Sequence, residues 1–237
     1  NPSKILSNYE NPSVAAFSVS MWNEQLCIKI ATELKNNWPN CLVVFGGPQV
    51  PHYPKHYFEK YSFIDVAVRG EGEEQFTKIL DRYLTSDCFS DIPGVTWRHP
   101  ISKSVIRNDE EQPFKRDLDY YPSPYLENLY DDLIADNPDK NFQAIIETNR
   151  GCPFPCTFCY WGKGGLSRKY KFHGLQRTFA ELEWCANHKI KYVFNADSNF
   201  GMHRRDRQIA EKIVQLKTSL GFPKKFRTCY GKNTDEK

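Results

Sequence analysis

Three cysteines within one short stretch carry the most specific chemistry in this chain: Cys152-Pro-Phe-Pro-Cys156-Thr-Phe-Cys159. Pro153 and Pro155, with Gly151 and Gly162 at the borders, exclude a continuous helix through it. The apolar stretch before it, residues 142–148, reads as a buried strand, so the cysteines occupy a loop that follows a strand. Three thiolates on one short loop can face a single point, which is the arrangement of a metal or cluster site. Structural zinc takes four protein ligands, usually as two CxxC-like pairs. The fourth here would be His173 or Cys185, neither at the usual spacing. A disulfide would leave one thiol over. Three thiolates without a fourth suit a 4Fe–4S cluster with one open iron.

The elements that must position this loop follow from hydrophobic periodicity. A strand is expected at 14–20, a helix at 24–38, a strand at 42–45, a short helix at 54–61 and a strand at 64–68, with a helix marked by Phe76, Ile79, Leu80, Tyr83 and Leu84. Turn signals close each strand, among them Gly46-Gly47-Pro48 and Gly70-Glu-Gly-Glu73. Such alternation implies a parallel sheet with helices on both faces. Ligands then bind at the carboxyl ends of the strands, where residues 18–23, 46–50 and 70–74 converge. Val95–Trp97 and Ser104–Ile106 read as an appended hairpin. Four prolines and an acidic excess mark 108–141 as a connector, with a short helix near 125–135. A second alternating run begins at 142. It has a helix at 174–188, a strand at 191–194 ending in the turn 195–201, a helix at 205–220 and a strand from 225. That is about two and a half βα units, too few to close a barrel. Asn1 is not an initiating residue and Lys237 follows no closing element, so a longer natural protein is expected.

Composition narrows the class. Of the 237 residues, 40% are hydrophobic and 14% aromatic, enough for a substantial core. No run of about 18 apolar residues suggests a membrane span. The eight cysteines are not spaced as disulfide pairs, which suits a reducing cytoplasm. The net charge of +3 hides an asymmetry: 108–141 carries ten acids against three bases, and 150–237 eighteen bases against seven acids. A basic half could meet RNA or the anionic parts of a cofactor, but a solvated face is the simpler reading.

The C-x3-C-x2-C spacing after a strand, with Phe158 before the third cysteine, resembles the radical S-adenosylmethionine superfamily. The resemblance implies that Cys152, Cys156 and Cys159 ligate the cluster. The open iron would chelate the amino and carboxylate groups of S-adenosylmethionine, whose reductive cleavage gives methionine and a 5′-deoxyadenosyl radical. Phe158 and Tyr160 would adjoin that cofactor. The strand end holding Asn195, Asp197 and Asn199 lies where family members contact its methionyl ammonium. Most carry a Gly-Gly-Glu turn there, and this chain is similar instead to the Asp-x-x-Phe form of some subgroups. A carboxylate or amide oxygen is what an ammonium needs. Capping of the next helix is the competing role, with Asp206 a rival cap. Gly162–Gly165 and Arg168–Lys171 could wrap the ribose or substrate, or form a mobile basic loop.

The upstream sheet resembles the cobalamin-binding domain found ahead of many such cores. The matching residues are Ser18, Ser20, Trp22, Asn23, Gly46, Gly47, Pro48, Gly70, Glu71 and Gly72, with the connector Pro122-Ser-Pro-Tyr-Leu126. The Asp-x-His-x-x-Gly loop that supplies an axial histidine in many of these domains does not occur, and His52 and His56 are poor substitutes. The implied fold is α/β: a partial Rossmann-like cobalamin-binding domain over 1–107, an acidic proline-containing linker over 108–141, and the first βα units of a radical SAM partial TIM barrel over 142–237. The implied function is a cobalamin-dependent radical SAM enzyme, a C-methyltransferase, with 4Fe–4S cluster, S-adenosylmethionine and cobalamin as cofactors. No catalytic residue is assigned beyond the cluster ligands. Expected partners are a small-molecule or peptide substrate and an electron donor such as flavodoxin or ferredoxin; neither nucleic acid nor membrane is expected. Non-methylating cyclisation, rearrangement or oxidation stays open, as does a zinc-stabilised RNA-binding module.

Overall fold

In the computed structural model the described residues are 1–86, 88–109, 117–154, 156–157, 159 and 170–231. They form two units, Asn1–Pro113 and Phe114–Lys237. Among the described residues no helix is long and apolar enough to cross a membrane.

The first unit runs α1 (Pro2–Leu6), β1 (Val14–Ser18), α2 (Glu24–Asn37), β2 (Leu42–Gly46), α3 (Lys55–Lys60), β3 (Val66–Val68), α4 (Glu73–Thr85), β4 (Val95–Arg98) and β5 (Val105–Arg107). Its sheet has the order β1-β2-β3-β4-β5. The first three strands are parallel, and β4 and β5 extend the sheet as the expected antiparallel hairpin. Strand β2 is apolar along its length because both of its faces are covered. Val43 and Phe45 pack with Leu6, Ala31, Leu34 and Phe58 of the first three helices. Leu42 and Val44 pack with Ile79 of α4 and with Ile92 and Trp97. Each such side chain, once fully buried, contributes about 1.5–3 kcal/mol.

Two boundaries depart from the sequence expectation. Strand β3 starts at Val66 rather than 64; Asp65 just before it still donates its N to Val43 O at 3.1 Å, while its carboxylate accepts from Val43 N at 2.8 Å and pairs with Lys35 at 2.7 Å. Helix α4 starts at Glu73, ahead of its first apolar marker, with Glu73 and Glu74 in the first turn where a helix N-terminus favours negative charge.

The second unit holds α5 (Asp131–Ala135), β6 (Gln143–Ile146), β7 (Asn149–Arg150), β8 (Lys171–Phe172), α6 (Leu175–Asn187), β9 (Tyr192–Phe200), α7 (Arg204–Leu220) and β10 (Lys225–Tyr230). Strands β6, β9 and β10 are parallel and lie in chain order, the winding of a βα barrel. Ala144, Ile146 and Val193 face Leu182, Cys185, Ile209, Ile213 and Leu216, while Ile145 on the other face is 63% exposed. Part of the expected connector also packs here. Leu118 is fully buried, and the Tyr125 ring lies 4.9 Å from that of Trp184.

The expected strand at 142–148 is interrupted after Ile146, and β7 pairs antiparallel with β8. The expected turn at 195–201 is instead the second half of β9, which runs unbroken to Phe200.

Gly47 closes β2 at φ 97°, and a Cβ placed there would lie 2.6 Å from Val19 O. A side chain must therefore distort the β1 end of the rim. Gly47→Ala is expected to destabilise the first unit by at least about 1–3 kcal/mol. Urea denaturation followed by tryptophan fluorescence reads this as a lowered midpoint, and an unchanged midpoint would refute the close approach.

Candidate functional site: a braced cysteine loop and a strand-end rim

Along β9 the side chains of Val193, Asn195, Asp197 and Asn199 are all buried, whereas Ala196 between them is exposed. Three polar groups thus occupy a face that begins apolar, and each needs a partner. Asp197 finds four. Its Oδ1 accepts from Thr148 N at 2.7 Å and Asn149 N at 3.1 Å. Its Oδ2 accepts from Asn149 Nδ2 at 2.8 Å and from the Thr148 hydroxyl. A carboxylate offers about four lone-pair sites, so this one is fully used. Asp197 therefore fastens β9 to the chain that leads into the cysteine loop.

The next two residues of β9 hold the loop entrance. Ser198 Oγ donates to Gly151 O at 2.6 Å. The Asn199 amide nitrogen donates to Ser198 Oγ at 3.1 Å and to Cys152 Sγ at 3.0 Å. Cys152 is buried, while Cys156 and Cys159 are half-exposed and joined by a turn in which Cys159 N donates to Cys156 O at 3.1 Å. Phe158, Tyr160, Gly162–Gly165 and Arg168–Lys169 lie outside the described residues. Asn195 Nδ2 donates to Thr228 Oγ1 at 3.3 Å, and its Oδ1 is buried without a partner among the described residues. The same holds for Asn149 Oδ1.

A second layer supports this brace. Helix α7 opens with His203 as its cap and Asp206 three residues on as the reciprocal partner, so Asp206 completes a capping box instead of being the cap itself. Asp206 Oδ2 accepts from Gly201 N at 2.9 Å and His203 N at 3.1 Å, and burial holds its carboxyl above the ordinary range. Arg205 reaches Thr148 O at 3.3 Å and Thr178 Oγ1 at 3.4 Å and lies 5.0 Å over the Phe172 ring; burial lowers its pKa. Burial also raises the phenol of Tyr170, whose hydroxyl has no partner among the described residues. Asp119 ties the connector to this layer, accepting from Gly174 N at 2.9 Å and meeting His173 Nδ1 at 3.0 Å, while burial lowers the His173 pKa.

Among the described residues no three His, Cys, Asp or Glu side chains close on a single ion position. Cubane ligands each bind a different iron, so a cluster loop is not expected to form such a cage. An apolar hollow of about 360 Å³, lined by Tyr125, Trp184, Gln143 and Ile190 among others, lies at the amino ends of β6 and β9, away from the cysteines.

In the first unit the structure gathers the expected cofactor residues onto one rim. Ser18 pairs with Gly46 across β1 and β2, and Val19 N donates to Gly46 O at 2.7 Å. Gly70, Glu71 and Gly72 follow β3, the next strand over. Asn23 is engaged within its own loop. Its Oδ1 accepts from Ser20 N at 2.7 Å and its Nδ2 donates to Ser18 O at 2.9 Å, which shapes the chain around Trp22. Trp22 is 82% exposed and Tyr53 75% exposed, so the rim carries aromatic surface open to solvent. Pro48 lies between Gly47 and the Gln49 amide, which donates to Val19 O at 3.1 Å.

Residues 5–80 match the B12 binding domain. Across 95% of the chain the sequence is 37% identical to the cobalamin-dependent radical SAM methyltransferase TokK of Streptomyces tokunonensis, covering 33% of that protein. Across 99% it is 36% identical to the 2-(S-pantetheinyl)-carbapenam-3-carboxylate methyltransferase of Streptantibioticus cattleyicolor, covering 34% of it. The chain thus carries a B12 binding domain over residues 5–80 and is similar over nearly its whole length to cobalamin-dependent radical S-adenosylmethionine methyltransferases. It spans about a third of the length of these curated relatives. The fold agrees with that of two solved cobalamin-binding radical S-adenosylmethionine proteins. OxsB with aqua-cobalamin bound superposes with a TM-score of 0.68 at 19% identity, over 95% of this chain and 32% of that one. TsrM from Kitasatospora setae, with cobalamin and a [4Fe-4S] cluster bound, gives 0.65 at 17% identity, over 93% and 45%.

Within this second unit, sequence reasoning missed Thr148, Asn149 and Arg205. The signal available was the abrupt change from the apolar residues 144–146 to the polar run 147–150 just before the first cysteine. Asp197→Ala leaves four buried donors without an acceptor and is expected to cost at least about 3 kcal/mol. Asp197→Asn should lose less, about 1–2 kcal/mol, because the Thr148 hydroxyl can rotate and the Asn149 amide can turn its unpartnered Oδ1 inward. Denaturant titration of both variants checks the ordering, and equal losses would contradict the four-bond brace.

Proposed function

We propose that this chain carries the cofactor sites of a cobalamin-dependent radical SAM C-methyltransferase acting on a small molecule. The observation that supports this most is the pair of relatives at 36–37% identity, matched over nearly the whole chain, both of which are methyltransferases by name. The residues present fit the two groups. On the second unit, Cys152, Cys156 and Cys159 would hold a 4Fe–4S cluster, and the Cys152 sulfur already accepts a hydrogen bond, as a thiolate ligand does. The buried Oδ1 of Asn195 and the amide oxygen of Asn199 are the acceptors proposed for S-adenosylmethionine. Phe158 and Tyr160 are proposed to adjoin it, while Asp197 positions the loop. On the first unit, Ser18, Ser20, Gly46, Gly47, Pro48, Gly70, Glu71 and Gly72 would line the cobalamin, with Trp22 as an aromatic wall and Asn23 shaping the loop. The close backbone approach at Gly47 leaves that rim open to a flat macrocycle.

When bound, these groups supply the hard chemistry, namely reductive cleavage of S-adenosylmethionine to a carbon radical and carriage of a methyl group. The chain's own part is to hold the thiolates in a partly buried loop and to present both cofactors at the carboxyl ends of parallel strands. A one-electron donor such as flavodoxin or ferredoxin is required. All eight thiols are unpaired, which supports a reducing, cytoplasmic setting.

Anaerobic reconstitution is expected to give a brown protein with about four iron and four sulfide per chain, together with stoichiometric cobalamin. With the complete enzyme, substrate and reductant, both S-adenosylhomocysteine and 5′-deoxyadenosine should accumulate. A colourless protein with stoichiometric zinc would sink the proposal. Deoxyadenosine without any methylated product would remove the methyltransferase assignment alone.

A further inference from the structure

The Asn199 amide has a donor pattern that the cofactor assignments leave unexplained. It is 4% exposed, and the Cys152 thiol beside it is 8% exposed. Its nitrogen lies 3.1 Å from Ser198 Oγ and 3.0 Å from Cys152 Sγ. The two ends of an amide are ordinarily hard to tell apart, but here the network settles them. Ser198 spends its only hydrogen on Gly151 O at 2.6 Å, so its oxygen must accept from Asn199. The NH₂ end therefore faces the sulfur, and its second hydrogen points at Cys152 Sγ. Ser198 and Asn199 are consecutive on β9, which Asp197 fastens to the loop entrance, so this donor is held in place by the fold.

We infer that Asn199 raises the reduction potential of the cluster through a hydrogen bond to the Cys152 thiolate. The inference rests on the assignment of Cys152 as a cluster ligand. A donor to a ligating sulfur withdraws electron density and favours the more negatively charged reduced cluster, and hydrogen bonds to the sulfurs are among the factors that set such potentials. Both partners are shielded from water, so solvent does not replace the bond when it is lost. Asn199 is thus a positioning and tuning residue toward the cluster, separate from any role of its oxygen toward S-adenosylmethionine. It acts on how readily the cluster takes its electron.

The test is an anaerobic redox titration of the reconstituted chain, followed by the EPR signal of the reduced cluster, for wild type and Asn199→Leu at matched iron and sulfide content. Loss of the donor should shift the reduction equilibrium about tenfold toward the oxidised cluster, about 59 mV more negative for one electron. Asn199→Asp, which loses the donor and adds a charge, should shift at least as far. A purely structural role would change cluster occupancy or midpoint of unfolding without moving the potential of loaded protein. If Asn199→Leu does not load, wild type labelled with ¹⁵N in its asparagine side-chain amides is measured instead. A ¹⁵N coupling to the reduced cluster supports the bond, and its absence overturns it. A fully loaded Asn199→Leu with the wild-type potential overturns the role of Asn199 and leaves the cluster assignment standing. A wild-type chain that binds no iron overturns the assignment and this inference together.

Discussion

The second unit depends on one buried carboxylate. Asp197 is fully buried, and a charge in that setting is tolerable only if its lone pairs are satisfied. Thr148 and Asn149 satisfy all of them, and those residues are the last such pairings before Gly151 and Cys152. The carboxylate therefore fixes where the cysteine loop leaves the sheet. A loop carrying three thiolates and two prolines has little regular structure of its own to set that point. The bonds to Gly151 from Ser198 and to Cys152 from Asn199 extend the same constraint one residue at a time along β9.

The first unit solves a similar problem with a buried cation at a strand end: Arg69, just after β3, donates to Thr96 Oγ1 at 2.7 Å and to Asn108 O at 2.7 Å. Its rim is shaped by backbone contacts between β1 and β2, by the Gly47 turn against Val19, and by Asn23 bridging Ser18 and Ser20. The sheet beneath is apolar on both faces, so its strands are held by packing while the polar work is confined to the strand ends. In both units the groups suited to hold a cofactor stand where parallel strands finish, the place α/β sheets reserve for ligands.

Much of this was legible in the sequence. The alternation of strands and helices, the hairpin, the cysteine loop after a strand and the glycine-bearing strand ends all follow from local pattern, and the structure retains them. What was not legible was the interior of β9. Asn195, Asp197 and Asn199 look like turn residues because polar side chains at alternate positions normally signal the surface. They belong to a strand because β6 and β10 pair with β9, and the side chains of Asp197 and Asn199 find partners 47–49 residues earlier, which no local signal announces. The bracing role of Asp197 was hidden for the same reason: a carboxylate at a strand end suggests a ligand for an ammonium, and its four hydrogen-bond partners become visible only in the fold. Tyr125 and Leu118 were likewise hidden within an acidic, proline-bearing stretch whose composition suggests only a connector.

The dependence of the cluster loop on this brace is measurable as iron and sulfide content after anaerobic reconstitution of Asp197→Ala beside wild type, without denaturant and at a temperature where both are folded by circular dichroism. Wild type should bind about four irons, and Asp197→Ala should lose most of them while retaining cobalamin on its first unit. A full cluster in Asp197→Ala, with an unchanged EPR spectrum, would contradict the central place given to that carboxylate.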